Sequence, residues 1–166
     1  MACIVNRACK INTPTERIFQ EAIHHCRWKK VLRTDILSRP EFQEATLKTY
    51  SDKSFDEILI MVHSICNNIY GIGMLATYDI TSAICRYNNI VIDKVYIIGN
   101  GPKRAIKLLH IIPQLYKNKH VTLKYVNISE LRNAFHAKHY NIDSCIAESN
   151  NGDHWESYIC NWQKTV

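Results

Sequence analysis

Ile69-Tyr70-Gly71-Ile72-Gly73-Met74-Leu75 lies between two long apolar-periodic runs, and its paired glycines decide how the middle of the chain folds. Upstream, Ser54-Phe55-Asp56-Glu57 has the form of a capping box, in which the serine serves an exposed backbone N–H and the glutamate reaches back. It opens a run with Phe55, Ile58, Leu59, Val62, Ile65, Cys66 and Ile69 at largely helical spacing. Downstream, Met74 to about Tyr87 reads as a second helix, broken by Asn88-Asn89. Glycine takes positive φ and lets a second backbone come close, so Tyr70-Gly71-Ile72-Gly73 predicts a tight hairpin joining the two.

The expectation is therefore a helix-hairpin-helix unit over about residues 54–88. A turn of this kind leaves the second helix with unpaired N–H groups and a positive dipole end, suited to a phosphate oxygen. Gly71, Gly73 and Met74 become candidate phosphate-binding positions.

Working outward, Thr13-Pro14-Thr15-Glu16 is a second helix start, with Thr13 as N-cap, Pro14 at the first helical position and Glu16 completing a capping box. Its helix carries Ile18, Phe19, Ala22, Ile23, Cys26 and Leu32 inward. A shorter helix is expected from Ser38–Glu41 through Phe42 and Leu47. Beyond the hairpin, Ile90 to Ile98 is short and β-branched, compatible with a strand or a short helix. Gly99-Asn100-Gly101-Pro102 is a turn opening a helix through Ile112, ended by Pro113. His120 to Val126 reads as a strand, and Asn127-Ile128-Ser129-Glu130 caps a helix through about Lys138. From Tyr140 the pattern is open: a loop at Asn150-Asn151-Gly152-Asp153 precedes Trp155, Tyr158 and Trp162. These aromatics suit a packed terminal helix, a dimer seam or base stacking. The fold class expected is mainly α: one compact helical domain over residues 1–166, with a minor β element near residues 90–98 and 120–126.

Gly99-Asn100-Gly101-Pro102-Lys103-Arg104 offers a second helix start with two cations beside it. Gly99, Gly101, Lys103 and Arg104 join the candidate phosphate-binding residues, against the alternative of a turn and a solvated basic face. The G-x-x-x-x-G-K-[S/T] spacing of a P-loop is absent.

Net charge is +6, which favours anionic partners without naming one. No stretch approaches the ~18 consecutive apolar residues of a membrane span, and residues 1–7 lack a basic start followed by an apolar core. Seven scattered cysteines (Cys3, Cys9, Cys26, Cys66, Cys85, Cys145 and Cys160) with no C-x-x-C pair fit reduced thiols and a cytoplasmic setting. Cys26, Cys66 and Cys85 suit small apolar sites in helices. Among eight histidines, His24-His25 and His136-x-x-His139 form no recognised metal pattern, so no metal and no cofactor is expected.

The stretch from Ile69 to Thr77 resembles the hairpin of the helix-hairpin-helix DNA glycosylase superfamily. More specifically, Tyr70 to Leu109, about a quarter of the chain, is similar to a bacterial helix-hairpin-helix protein group of unassigned function. The shared elements are Tyr70-Gly71-Ile72-Gly73, Tyr78-Asp79 and Asp93-Lys94-Val95-Tyr96, followed by Gly99 to Ala105. The glycosylase resemblance implies a lysine just past the hairpin as Schiff-base nucleophile and an aspartate further on. Leu75 stands in the lysine's place, which removes that lyase chemistry. Asp93, eighteen residues later, is similar to the aspartate that monofunctional members use, so it is the one candidate catalytic carboxylate. Its alternative is a helix N-cap. The chain is short for a two-domain glycosylase with a base pocket.

Three functions follow in order: a nucleic-acid-associated module holding phosphate backbone without sequence specificity, a protein-interaction module whose hairpin is structural, and a reduced glycosylase-like or nucleotide-processing enzyme using Asp93. Nucleic acid or a protein partner is expected, and no membrane.

Overall fold

The computed structural model describes residues 13–25, 27 and 29–166. The leader reading of residues 1–7, Cys3, Cys9 and Cys26, and the His24 and His25 side chains lie outside that description. The protein is mainly helical with a small antiparallel sheet. Its contacts divide it between Ile90 and Val91 into two compact units.

In the N-terminal unit, Thr13 accepts the Glu16 N–H at 3.1 Å, as its sequence predicts. The Glu16 carboxylate meets Arg33 at 3.1 Å. The single long helix expected from there is instead a series of short pieces: α1 (Pro14–Ile18), α2 (Gln20–His25), α3 (Lys29–Val31) and a π-type turn over Leu32–Ile36. The first break falls at Phe19, which is fully buried and meets Phe42 edge-on at 5.8 Å. The next expected helix is similarly split into a 3₁₀ turn (Pro40–Phe42), α4 (Glu44–Leu47) and a second 3₁₀ turn (Lys48–Tyr50), because Gln43 is extended. Ser54 and Glu57 form their capping box and open α5 (Phe55–Cys66). After a turn comes α6 (Met74–Tyr87), buried on most of its circumference and packed on α5 and α2. Its inward Thr77 and Thr81 are satisfied by carbonyls one turn back, Gly73 O at 3.2 Å and Thr77 O at 2.8 Å. Cys66 and Cys85 are buried thiols, as expected.

The C-terminal unit holds β1 (Lys94–Tyr96), α7 (Asn100–Leu108), β2 (Gln114–Lys117), β3 (Thr122–Asn127), α8 (Ile128–Ala137), α9 (Ser144–Ala147) and α10 (Gly152–Trp162). β3 is the central strand, pairing antiparallel with β1 on one side and β2 on the other. β3 lies where the sequence placed a strand, and β1 is the strand alternative of the two left open for residues 90–98. β2 is an addition: it is short, and its Leu115 is 65% exposed, so no buried alternation marks it. Val95 and Val126 face the helical layer, where Leu131, Phe135, Trp155 and Ile159 are fully buried. The tail aromatics are therefore core: Trp162 and Tyr158 stack around Phe135 at 4.7 and 5.9 Å, and Trp155 donates its indole N–H to Ser149 O at 2.9 Å.

Two glycines make this packing possible. Gly152 donates its N–H to Ile92 O at 2.6 Å, and a Cβ there would overlap the Lys94 carbonyl. At Gly101 a Cβ would stand 2.5 Å from Cys160 Sγ, so α7 can lie directly on α10.

Three helices stop on a non-glycine residue in the left-handed region: Asn89 (φ 55) after α6, His110 (φ 58) after α7 and His139 (φ 56) after α8. Each completes the same pair of end bonds. After α7, for example, Ile111 N–H reaches Ile106 O at 2.9 Å and His110 N–H reaches Lys107 O at 3.2 Å. This ends α7 at Leu108, short of the Ile112 expected when Pro113 is taken as the stop.

Candidate functional site

The hairpin is a turn over Ile69-Tyr70-Gly71-Ile72, closed by the Ile72 N–H on Ile69 O at 3.2 Å. Gly71 sits at φ 85, the third position of a type II turn, which an L side chain resists. Buried Ile72 pins the turn to the unit below, and Tyr70 points outward, 86% exposed. Gly73 is different. It is the N-cap of α6 at φ −106, and a Cβ there would meet nothing within 4 Å. No side chain caps α6, so the N–H groups of Met74, Leu75 and Ala76 lie outside its ladder, which begins with Thr77 N–H on Gly73 O at 3.1 Å. Leu75, where the resemblance places a lysine, is 44% exposed.

Asp93 is an exposed carboxylate, 3.7 Å from the Lys94 ammonium. A strand follows it, not a helix, so it has no capping role. The second glycine turn, Gly99 to Arg104, belongs to the other unit from the hairpin. Gly99 is the N-cap of α7, Gly101 is turned against α10, and Pro102 has no N–H to give. The Lys103 N–H is already bonded to Gly99 O at 3.3 Å. The first turn of α7 thus leaves only the Asn100 and Gly101 amides outside its ladder.

What the C-terminal unit assembles is an open groove of about 310 Å³ between α7 and the sheet. Lys103 and Lys107 stand one helical turn apart on α7, and Lys124 comes from β3. Between them lie Ile97, Ile106, Ile111 and Pro113. The strand parity explains how Lys124 gets there: it shares its sheet face with Val126 and, across the pairing, Leu115. Lys94 is on the opposite face, its ammonium 5.4 Å from the Tyr125 ring centre and 6.0 Å from that of Tyr116. Asp93 is not among the lining residues.

The groove sits in a sequence stretch of one sign. Residues 94–129 contain seven Lys/Arg and no Asp or Glu. Six of those cations (Lys103, Arg104, Lys107, Lys117, Lys119 and Lys124) make no ion pair among the described residues. Of the groove's lysines, Lys103 is legible as the partner of a glycine turn. Lys107 and Lys124 are not, and the signal that finds them is the missing acid over this stretch combined with the i, i+4 spacing of Lys103 and Lys107.

Among the described residues, no group of three or more His, Cys, Asp or Glu is placed to hold a metal ion, and no helix is long and apolar enough to cross a membrane. No family model, curated protein or solved structure matches the chain.

Proposed function

We propose that the protein associates with nucleic acid through phosphate contacts, without reading sequence, and that the lysine groove of the C-terminal unit is its binding surface. The observation that carries this is the convergence of Lys103, Lys107 and Lys124, drawn from a helix and a strand and without acidic partners among the described residues. Lysine ammonium groups are point charges that accept a phosphate from many directions, which suits backbone holding and not base discrimination. The uncapped amides at the start of α6, those of Met74 and Leu75 above all, are a second, weaker phosphate contact of the same kind.

Gel retardation at low salt tests the reading. The wild type is expected to shift nucleic acid of unrelated sequences alike, and Lys103→Glu/Lys107→Glu/Lys124→Glu is expected to abolish the shift. Lys48→Glu/Lys53→Glu, the same kind of reversal in the N-terminal unit, should retain it. No shift by the wild type, or a full shift by the triple variant, would overturn the proposal.

One observation favours a protein partner for the hairpin itself: Tyr70 and Leu75, on either side of its glycines, expose apolar surface, 86% and 44%. Base-excision chemistry through Asp93 draws no support from so exposed a carboxylate outside the groove.

A further inference from the structure

A basic surface alone holds a duplex well, because a duplex presents its phosphates outward and keeps its bases stacked inside. The groove is not such a surface. Its lysines border half-buried Ile111 and Pro113, which lie over the buried Ile97 and Ile106, and the apolar strip continues along the chain to Leu115, which is 65% exposed. Leu115 lies directly opposite Lys124 in the β2–β3 pairing, so an apolar side chain and an ammonium stand side by side on one sheet face. Exposed apolar area in this position has no use against a sugar–phosphate exterior. It has a use against the faces of unstacked bases.

Resting on the reading above, we propose that the groove is a single-strand site: bases lie on the Ile111–Leu115 strip while flanking phosphates engage Lys103, Lys107 and Lys124. Charge complementarity names the occupant, since the surrounding stretch contains no acid and offers six cations with no ion pair among the described residues. The spacing fits as well. Lys103 and Lys107 are separated by four residues of helix, about 6 Å of rise, on the scale of one nucleotide step in an extended strand. At about 310 Å³ the groove has room for a base, and it is open to solvent, as a continuing strand requires. Aliphatic and proline side chains lack the stacking strength of an aromatic ring, so the preference rests on area removed from water and is indifferent to base identity.

Fluorescence anisotropy of the full chain at low salt distinguishes the possibilities with probes of about twelve nucleotides. One probe is a single strand, one its duplex, and one a strand with the same phosphates but no bases, each made with deoxyribose and with ribose. The single strand is expected to bind about tenfold tighter than the base-free strand, with the duplex near the base-free value. A preference of this size with either sugar supports the proposal. Ile111→Ser and Leu115→Ser should bring the single strand down to the base-free value without altering the salt dependence, whereas Lys107→Gln should reduce the salt dependence for every probe. Equal binding of intact and base-free strands by the wild type overturns the single-strand site while leaving phosphate binding standing. Binding of no probe overturns both. The probe comparison uses only the wild type, so a variant that misfolds does not decide it.

Discussion

The two units treat their positive charges in opposite ways. In the N-terminal unit, Arg33 meets Glu16 at 3.1 Å, Lys48 meets Glu44 at 3.3 Å, Lys53 meets Glu57 at 3.8 Å and Arg86 meets Glu21 at 2.7 Å. In the C-terminal unit the cations of α7, β3 and the β2–β3 connection have no such partners among the described residues. Exposed ion pairs contribute little to stability, about 0–1 kcal/mol each, so the pairing is not what holds the first unit together. What pairing does is cancel field. The first unit neutralises four of its basic residues in such pairs, and the second carries a standing positive potential over one groove, which draws in an anionic partner.

The strongest way to break the comparison is to remove the second unit's packing. Gly152→Ala drives a methyl group into the Lys94 carbonyl at the point where α10 crosses the end of β1. Backbone must shift, and the expected loss is roughly 3–5 kcal/mol, at the upper end for one substitution. Chemical denaturation measures the loss, and nucleic-acid binding should vanish with it. Retained binding by a Gly152→Ala protein with a collapsed C-terminal unit would move the site to the N-terminal unit.

The next test is graded. Each phosphate that a lysine neutralises adds about 0.7 to the slope of log affinity against log salt for a single strand, and about 0.9 for a duplex. Lys103→Gln, Lys107→Gln and Lys124→Gln should each reduce the slope by about that amount. Lys53→Gln, which removes an ammonium already facing Glu57, should leave the slope where it is. Titrations at several salt concentrations separate the two groups.

These groups also mark what the sequence could and could not disclose. The local signals were dependable where one residue type answers one geometric demand. Ser54 with Glu57, Thr13 as the N-cap of α1, and Gly71 in its turn all formed as read. Two kinds of feature were hidden. The ends of α6, α7 and α8 rest on Asn89, His110 and His139 in a conformation that glycine normally supplies, so nothing at His110 announced a stop before Pro113. β2 was invisible because an edge strand with Leu115 turned outward has no buried periodicity. Without β2 the parity of Lys124 could not be set, and the groove could not be assembled from Lys103 alone. Gly101, read as a ligand position, owes its identity to the contact with Cys160.

His139→Gly should therefore stabilise the C-terminal unit. The histidine holds φ 56, which costs a side-chain-bearing residue about 1–2 kcal/mol, while glycine has more freedom to lose on folding. The balance expected is a gain of up to about 1 kcal/mol, visible as a higher denaturation midpoint. His139 is exposed and outside the groove, so binding should not change. A loss of stability would mean that the imidazole makes a contact worth more than the backbone relief.

The smallest effect belongs to the first unit, where a charge is held by hydrogen bonds. Glu57 accepts the Ser54 N–H at 2.8 Å and the Ser54 hydroxyl at 2.9 Å. The backbone bond, then the hydroxyl bond, holds its carboxyl below the ordinary 4.5, with the Lys53 charge adding a smaller push in the same direction. A carboxyl more acidic folded than unfolded stabilises the fold above its unfolded pKa and stops doing so as pH falls through its folded value. The capping contribution is thus complete at neutral pH and fades below about 4. Glu57→Gln should flatten this acid limb slightly, and Ser54→Ala, which removes the cap, should also cost about 1 kcal/mol at neutral pH. Denaturation at neutral and acid pH measures both. An unchanged acid limb in Glu57→Gln would show that Glu57 binds its proton alike in the folded and unfolded chain.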